Sequence, residues 1–176
     1  RQTHPEVEVQ IDEGIDSEVA QWLLERRVEL GFVILPDDRF DCLPLAQDEL
    51  VAVLPAEHRL AVCARVSASD FHDLPFIRTA AGSGPHVDQF LAAAGAVPRT
   101  LFRFEQLSSM LGFVAQGVAV TIAGRLALPE PPEGVIYRSL EPCRPREIAL
   151  AALNFERLSP AAQAFLRIAR KIHHKR

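Results

Sequence analysis

Between Pro75 and Asp88 the chain runs Pro-Phe-Ile-Arg-Thr-Ala-Ala-Gly-Ser-Gly-Pro-His-Val-Asp. The order predicts a short buried strand, a tight turn and the start of a helix. Gly82 and Gly84 permit close backbone approach. Ser83 is the expected N-cap, and Pro85 suits the first helical turn. The unpaired N–H groups of such a helix start favour an anion. Arg78 could offer a bidentate partner to a carboxylate, but strand alternation puts it on the opposite face from Thr79.

Ser83, His86 and Asp88 also invite a hydrolase reading. A Ser–His–Asp triad needs three groups converging in space, and positions 83, 86 and 88 of one helix cannot share a focus. Neither GxSxG nor HExxH occurs, and Val87 stands where a dinucleotide fingerprint would want glycine. The expected function is therefore binding without catalysis, and without a cofactor.

The elements around this segment are mostly legible. Val7–Ile11 alternates as a half-buried strand does, and Asp16 or Ser17 can cap a helix running to about Arg27. Leu30–Leu35 is a continuous apolar run, as in a parallel strand covered on both faces. Residues 40–55 read as a short strand followed by a second, Leu50–Leu54. Ser67 and Asp70 fit a capping box. A strand at Phe76–Thr79, a helix at Ser83–Ala94, a strand at Thr100–Phe104, a helix at Leu107–Gln116 and a strand at Val118–Ala123 follow. Gly134–Leu140 and Glu147–Asn154 are later strands. A helix opening at Ser159-Pro160 is expected to turn Phe165, Ile168 and Ile172 inward. Helices alternate with strands in 7–35 and again in 76–123, and extended segments near 49–65 and 136–154 join the two stretches. This predicts an α/β protein of two Rossmann-like lobes, with a ligand cleft between them.

Composition bounds the function. The 176 residues are 48% hydrophobic and carry a formal charge of −4. A net negative chain disfavours nucleic-acid contact by the chain itself. The cations Arg167, Arg170, Lys171, Lys175 and Arg176 are best placed to complement a helix C-terminus. Cys42, Cys63 and Cys143 form no CxxC, so neither a disulfide framework nor a structural zinc is expected. No signal or membrane-spanning run is visible, which predicts a cytoplasmic protein with no membrane partner. The abrupt opening Arg1-Gln2-Thr3-His4-Pro5 predicts a piece of a longer chain.

Several stretches carry a family pattern along nearly the whole sequence. They are His4-Pro5-Glu6-Val7, Glu13-Gly14-Ile15-Asp16, Val28–Val33, Glu49–Ala61, Leu74–Ile77, Gly82-Ser83-Gly84, Ala92–Gly95 and Leu111–Val120. In order and spacing they resemble the effector-binding region of LysR-type transcriptional regulators. The resemblance implies a fold like the type 2 periplasmic binding proteins, a small effector, and homodimers or homotetramers. It implies lobe I at 1–60 and 145–176, lacking the family's first strand and most of its first helix, and lobe II at 61–144. DNA would be reached only through an N-terminal winged helix-turn-helix that this sequence does not contain. Cleft closure around the effector would be passed to those DNA-binding heads. By the same resemblance Thr79, Gly82 and Ser83 fall in an effector-contacting loop, and Gln106 and Ser108 at the start of the next helix. Ile15 takes a place where relatives often carry a hydroxyl, while Leu35 and Thr121 lie at strand ends near the hinge. A free-standing solute-binding protein of the same fold is the alternative.

Overall fold

A computed structural model describes residues 4–79, 83–104 and 106–173. The chain divides into two compact units, one of residues 1–47 and 147–176, the other of residues 48–146. The boundaries differ from the 60/61 and 144/145 divisions read from sequence. The long second strand runs on to Pro55, so nothing local marks where one unit ends.

The first unit contains α1 (Asp16–Leu24), β1 (Gly31–Ile34), the start of β2 (Asp41–Pro55), most of β8 (Pro145–Ala152) and α4 (Pro160–His173). Glu18 accepts the Ile15 N–H at 2.9 Å and fastens the start of α1. This helix lies so near β1 that a Cβ on Gly31 would stand 2.8 Å from Val19 Cγ1. Ala20 and Leu23 pack with Val33, Phe40, Ala149 and Ala151.

Four expectations change here. Residues 7–11 form no strand, and Val9 and Ile11 are 60% and 82% exposed. Local alternation supplied no pairing partner. Without that strand there is no opening βαβ unit. The apolar run at 30–35 is not a parallel strand covered on both faces: β1 pairs antiparallel with β8, from Gly31 with Ala151 to Ile34 with Ile148, and Phe32 is exposed. In α4 the buried side chains are Ala162, Ala164, Leu166 and Ala169, while Phe165 and Ile168 face outward. Small residues give the closest approach, so bulk misidentified the inner face. The side chain of Ile172 lies outside the described residues, as do Lys175 and Arg176.

The second unit holds the rest. Residues 41–55 make one fifteen-residue strand rather than two. Its second half lies between β6 (Thr121–Gly124) and β7 (Val135–Glu141), antiparallel to both, and β3 (Arg65–Ser67) runs parallel to β7. A separate parallel pair, β4 (Pro75–Thr79) and β5 (Arg99–Phe104), is linked by α2 (Gly84–Ala92) and continued by α3 (Leu107–Ala115). The expected capping box is present: Asp70 accepts both the Ser67 N–H at 2.8 Å and its hydroxyl at 2.7 Å. Phe71 and Phe76 meet edge to face at 6.0 Å in a core with Leu54, Phe90 and Ile122. Met110, Leu111 and Val114 seat α3 on a second cluster with Val53 and Ile77.

Truncating Phe76 to alanine is expected to lower the unfolding free energy by about 3–5 kcal/mol in urea titrations. His58 supplies a pH-dependent contribution. Its Nδ1 accepts the Leu60 N–H at 3.3 Å. Burial first, then the Arg59 cation, holds its pKa below the ordinary histidine value. The unfolded chain thus takes up the proton first. This contribution is complete above about pH 6.5 and is lost as pH falls through the depressed value. His58→Asn, which keeps a capping acceptor, should flatten that part of the stability–pH curve.

Candidate functional site

The parallel pairing of β4 with β5 sets the carboxyl ends of these strands side by side. Thr79 is opposite Phe104 at the ends of these strands, and the chain leads from them into α2 and α3. Ligands of open α/β sheets sit at such carboxyl ends. Thr79 and Ser83 are half-buried there, and Gln106 and Ser108 are exposed at the start of α3. Gln106 makes no side-chain capping bond. Gly82, with Ala80, Ala81 and Glu105, lies outside the described residues.

Ser83 is not the cap that its type and position suggest. Its backbone is already helical, at φ −80° and ψ −11°, and its hydroxyl caps nothing. Instead its Oγ accepts a hydrogen bond from Arg146 Nη1 at 3.1 Å. The same guanidinium donates from Nε to Asp48 Oδ2 at 2.7 Å, with Nη2 2.6 Å from that oxygen. Asp48 Oδ1 accepts the Leu126 N–H at 2.9 Å. The carboxylate is 0% exposed and the Arg146 side chain 10%. Gly124 makes room for the pair: a Cβ there would lie 1.7 Å from Arg146 Nη2 and 2.8 Å from Asp48 Oδ2. A sheltered cation is thus fixed directly behind Ser83.

The other expected site residues are placed differently. The Arg78 guanidinium pairs with Asp88, and its Nε donates to Thr100 Oγ1 at 3.1 Å. That charge is engaged within the fold instead of being turned to the β4–α2 turn. The Thr121 hydroxyl is fully buried and donates to the Ile77 carbonyl at 2.7 Å, so it locks β6 to β4. Ile15 and Leu35 belong to the first unit. Ile15 precedes α1 and is 39% exposed, while the Leu35 N–H donates to the Glu147 carbonyl at 2.9 Å. Ser83, His86 and Asp88 do not form a relay, since Ser83 faces Arg146 and Asp88 is held by Arg78. Among the described residues no cluster of three His, Cys, Asp or Glu side chains could hold a metal ion. Nor is any helix long and apolar enough to cross a membrane.

Residues 1–172 match the family described as the LysR substrate binding domain. The chain belongs to that family. The LysR domain has relatives among proteins named as HTH-type transcriptional regulators. It is 26% identical over 175 residues to the uncharacterized regulator YvbU of Bacillus subtilis (strain 168), covering 98% of this chain and 60% of YvbU. It is 32% identical over 177 residues to the probable regulator LrrA of Synechococcus elongatus, covering 97% and 58%. The chain thus spans about three fifths of the length of these relatives. Among solved structures it resembles the CcmR regulatory domain of Synechocystis PCC6803 in complex with 2-PG, with TM-score 0.88, 17% identity, and 98% and 86% of the two chains covered. It also resembles the effector binding domain of QuiR in complex with shikimate, with TM-score 0.82, 25% identity and 99% and 85% covered. The α/β fold of the type 2 periplasmic-binding-protein kind, expected from sequence, is the fold of these LysR domains.

Asp48 and Arg146 escaped the sequence reading. They stand 98 positions apart, and a charge beside an apolar strand is ordinarily solvated. The adjacent Gly124, which stands in a fully buried strand with room for no side chain, was the available signal. Its φ is −72°, so alanine there meets no backbone strain and by chain entropy alone would stabilise. We expect the opposite. Gly124→Ala should lower the unfolding free energy by about 3 kcal/mol, because it parts a buried ion pair. Urea denaturation of the two proteins checks this.

Proposed function

We propose that this LysR domain is the ligand-sensing part of a cytoplasmic transcription regulator. It takes a small anionic effector at the β4–α2 and β5–α3 turns, through Thr79, Gly82, Ser83, Gln106 and Ser108. DNA contact belongs to a separate helix-turn-helix domain of the whole protein, which works as a homodimer or homotetramer. The observation that carries the reading is the Ser83 hydroxyl, whose oxygen accepts from Arg146 of the buried Asp48–Arg146 pair, so that its own O–H is left to donate to an anion. The regulator names of the relatives favour this role over an exported solute-binding protein.

Magnitudes fit. Micromolar affinity needs about 8 kcal/mol. A helix start contributes about 0.3–1 kcal/mol toward an anion. Hydrogen bonds to a charged ligand add about 1.5–3 kcal/mol each where water is excluded. The hydroxyls, the Gln106 amide and the backbone N–H groups together reach that sum, while no single one does.

A thermal-shift screen of small organic and inorganic anions is expected to yield at least one that raises the midpoint with concentration, because a ligand of the folded state stabilises by mass action. For that anion, Ser83→Ala and Gln106→Ala should each weaken binding about 2–10-fold, the worth of one hydrogen bond. Unchanged affinity in both variants would remove these turns from the account.

A further inference from the structure

A depression of about 120 Å³ lies wholly within the second unit, between α2 and the chain entering β8. Leu50 and Phe90 form its apolar part. His86, Gln89, Arg144 and Arg146 supply its polar groups, and none of its lining residues is acidic. His86 and Gln89 are three apart on α2 and so share a face.

Arg144 is the telling residue. Its guanidinium lies over the Phe90 ring, 5.4 Å from the centroid. Its Nε is buried and has no hydrogen-bond partner. Among the described residues no carboxylate pairs with it. Glu49, close by along β2, accepts the Cys143 thiol at 3.1 Å. A buried donor left without an acceptor costs about 1–3 kcal/mol, more when charged, and native structures seldom leave one so. An incoming oxyanion would supply the acceptor. Guanidinium forks match phosphate oxygens in pairs, and the Gln89 amide and the His86 ring line the same volume.

We propose that this depression is a second anion site, for a phosphate-type oxyanion, with Arg144 as its anchor. It borders Arg146, which also holds Ser83, but its anchor Arg144 and the Gln89 amide take no part in the effector reading, so it stands whether or not that reading does.

Titration calorimetry of inorganic phosphate into the 176-residue chain, at low ionic strength, tests it. Saturable one-to-one binding is expected. Arg144→Gln should weaken it about tenfold or more, from the loss of a charge-assisted hydrogen bond. Gln89→Ala should weaken it by about 2–10-fold. Gln106→Ala, at the start of α3 and outside the lining of the depression, should leave it unaltered. Absence of saturable binding, or equal affinity in Arg144→Gln, overturns the proposal. Should circular dichroism show Arg144→Gln unfolded, Gln89 decides, since it is exposed on α2: unchanged affinity in Gln89→Ala then overturns it. Phosphate binding abolished by Gln106→Ala but not by the Arg144 or Gln89 variants would assign the ion to the start of α3 and likewise refute this site.

Discussion

One ion pair closes the larger unit. Asp48 and Arg146 are the first and last residues of the 48–146 segment, and their side chains meet with nitrogen–oxygen distances of 2.6 and 2.7 Å. Bringing the two ends of so long a segment together costs chain entropy. A carboxylate and a guanidinium buried together are stabilising only if nearly all their hydrogen bonds are made. Here they are largely made, because Leu126 donates to the second carboxylate oxygen and Ser83 receives the remaining side of the guanidinium.

The same pair organises the candidate site. Leu126 follows β6, Gly124 ends it, and Ser83 sits where β4 turns into α2. The ion pair therefore ties together stretches of chain that sequence order keeps far apart: Asp48 holds Leu126, and Arg146 holds Ser83. The Thr121 hydroxyl adds a second tie from β6 to β4 through the Ile77 carbonyl. Around these fixed points the parallel β4–β5 pair presents its two turns, and their unengaged polar side chains, Gln106 and Ser108, point away from the core. In this LysR domain the surrounding core is apolar and the polar groups proposed to meet a ligand are few, as in binding sites generally. Arg144, next but one to Arg146 along the chain, has no carboxylate partner among the described residues: it rests on an aromatic face with its buried Nε unmatched.

Features set by near neighbours were readable from the residues alone. The Ser67–Asp70 box, the apolar face of α3 with Met110, Leu111 and Val114, and the β4–α2–β5 order all depend on spacings of a few residues. The helix start at α2 was found. What failed depended on distant partners. Val7–Ile11 alternates like a strand yet has no ladder to join. Gln47 and Asp48 look like a break between two strands, but β2 passes straight through them because the Asp48 side chain has Arg146 to receive it. Ser83 has the type and position of a cap, and its hydroxyl is claimed by a residue 63 positions away. In α4, alanines at 162, 164 and 169 make the close contacts, so the large residues Phe165 and Ile168 gave the wrong face. The partner of Arg78, Asp88 on α2, was visible only once the helix was in position.

The most direct test is a double-mutant cycle on the closing pair. Unfolding free energies in urea would be compared for the parent chain, Asp48→Asn, Arg146→Gln and the combination. If the two groups act as one buried unit, the double variant should be less damaged than the sum of the singles, with a coupling of about 2 kcal/mol or more. Effects that simply add, to within about 0.5 kcal/mol, would show that the pair does not hold the unit together.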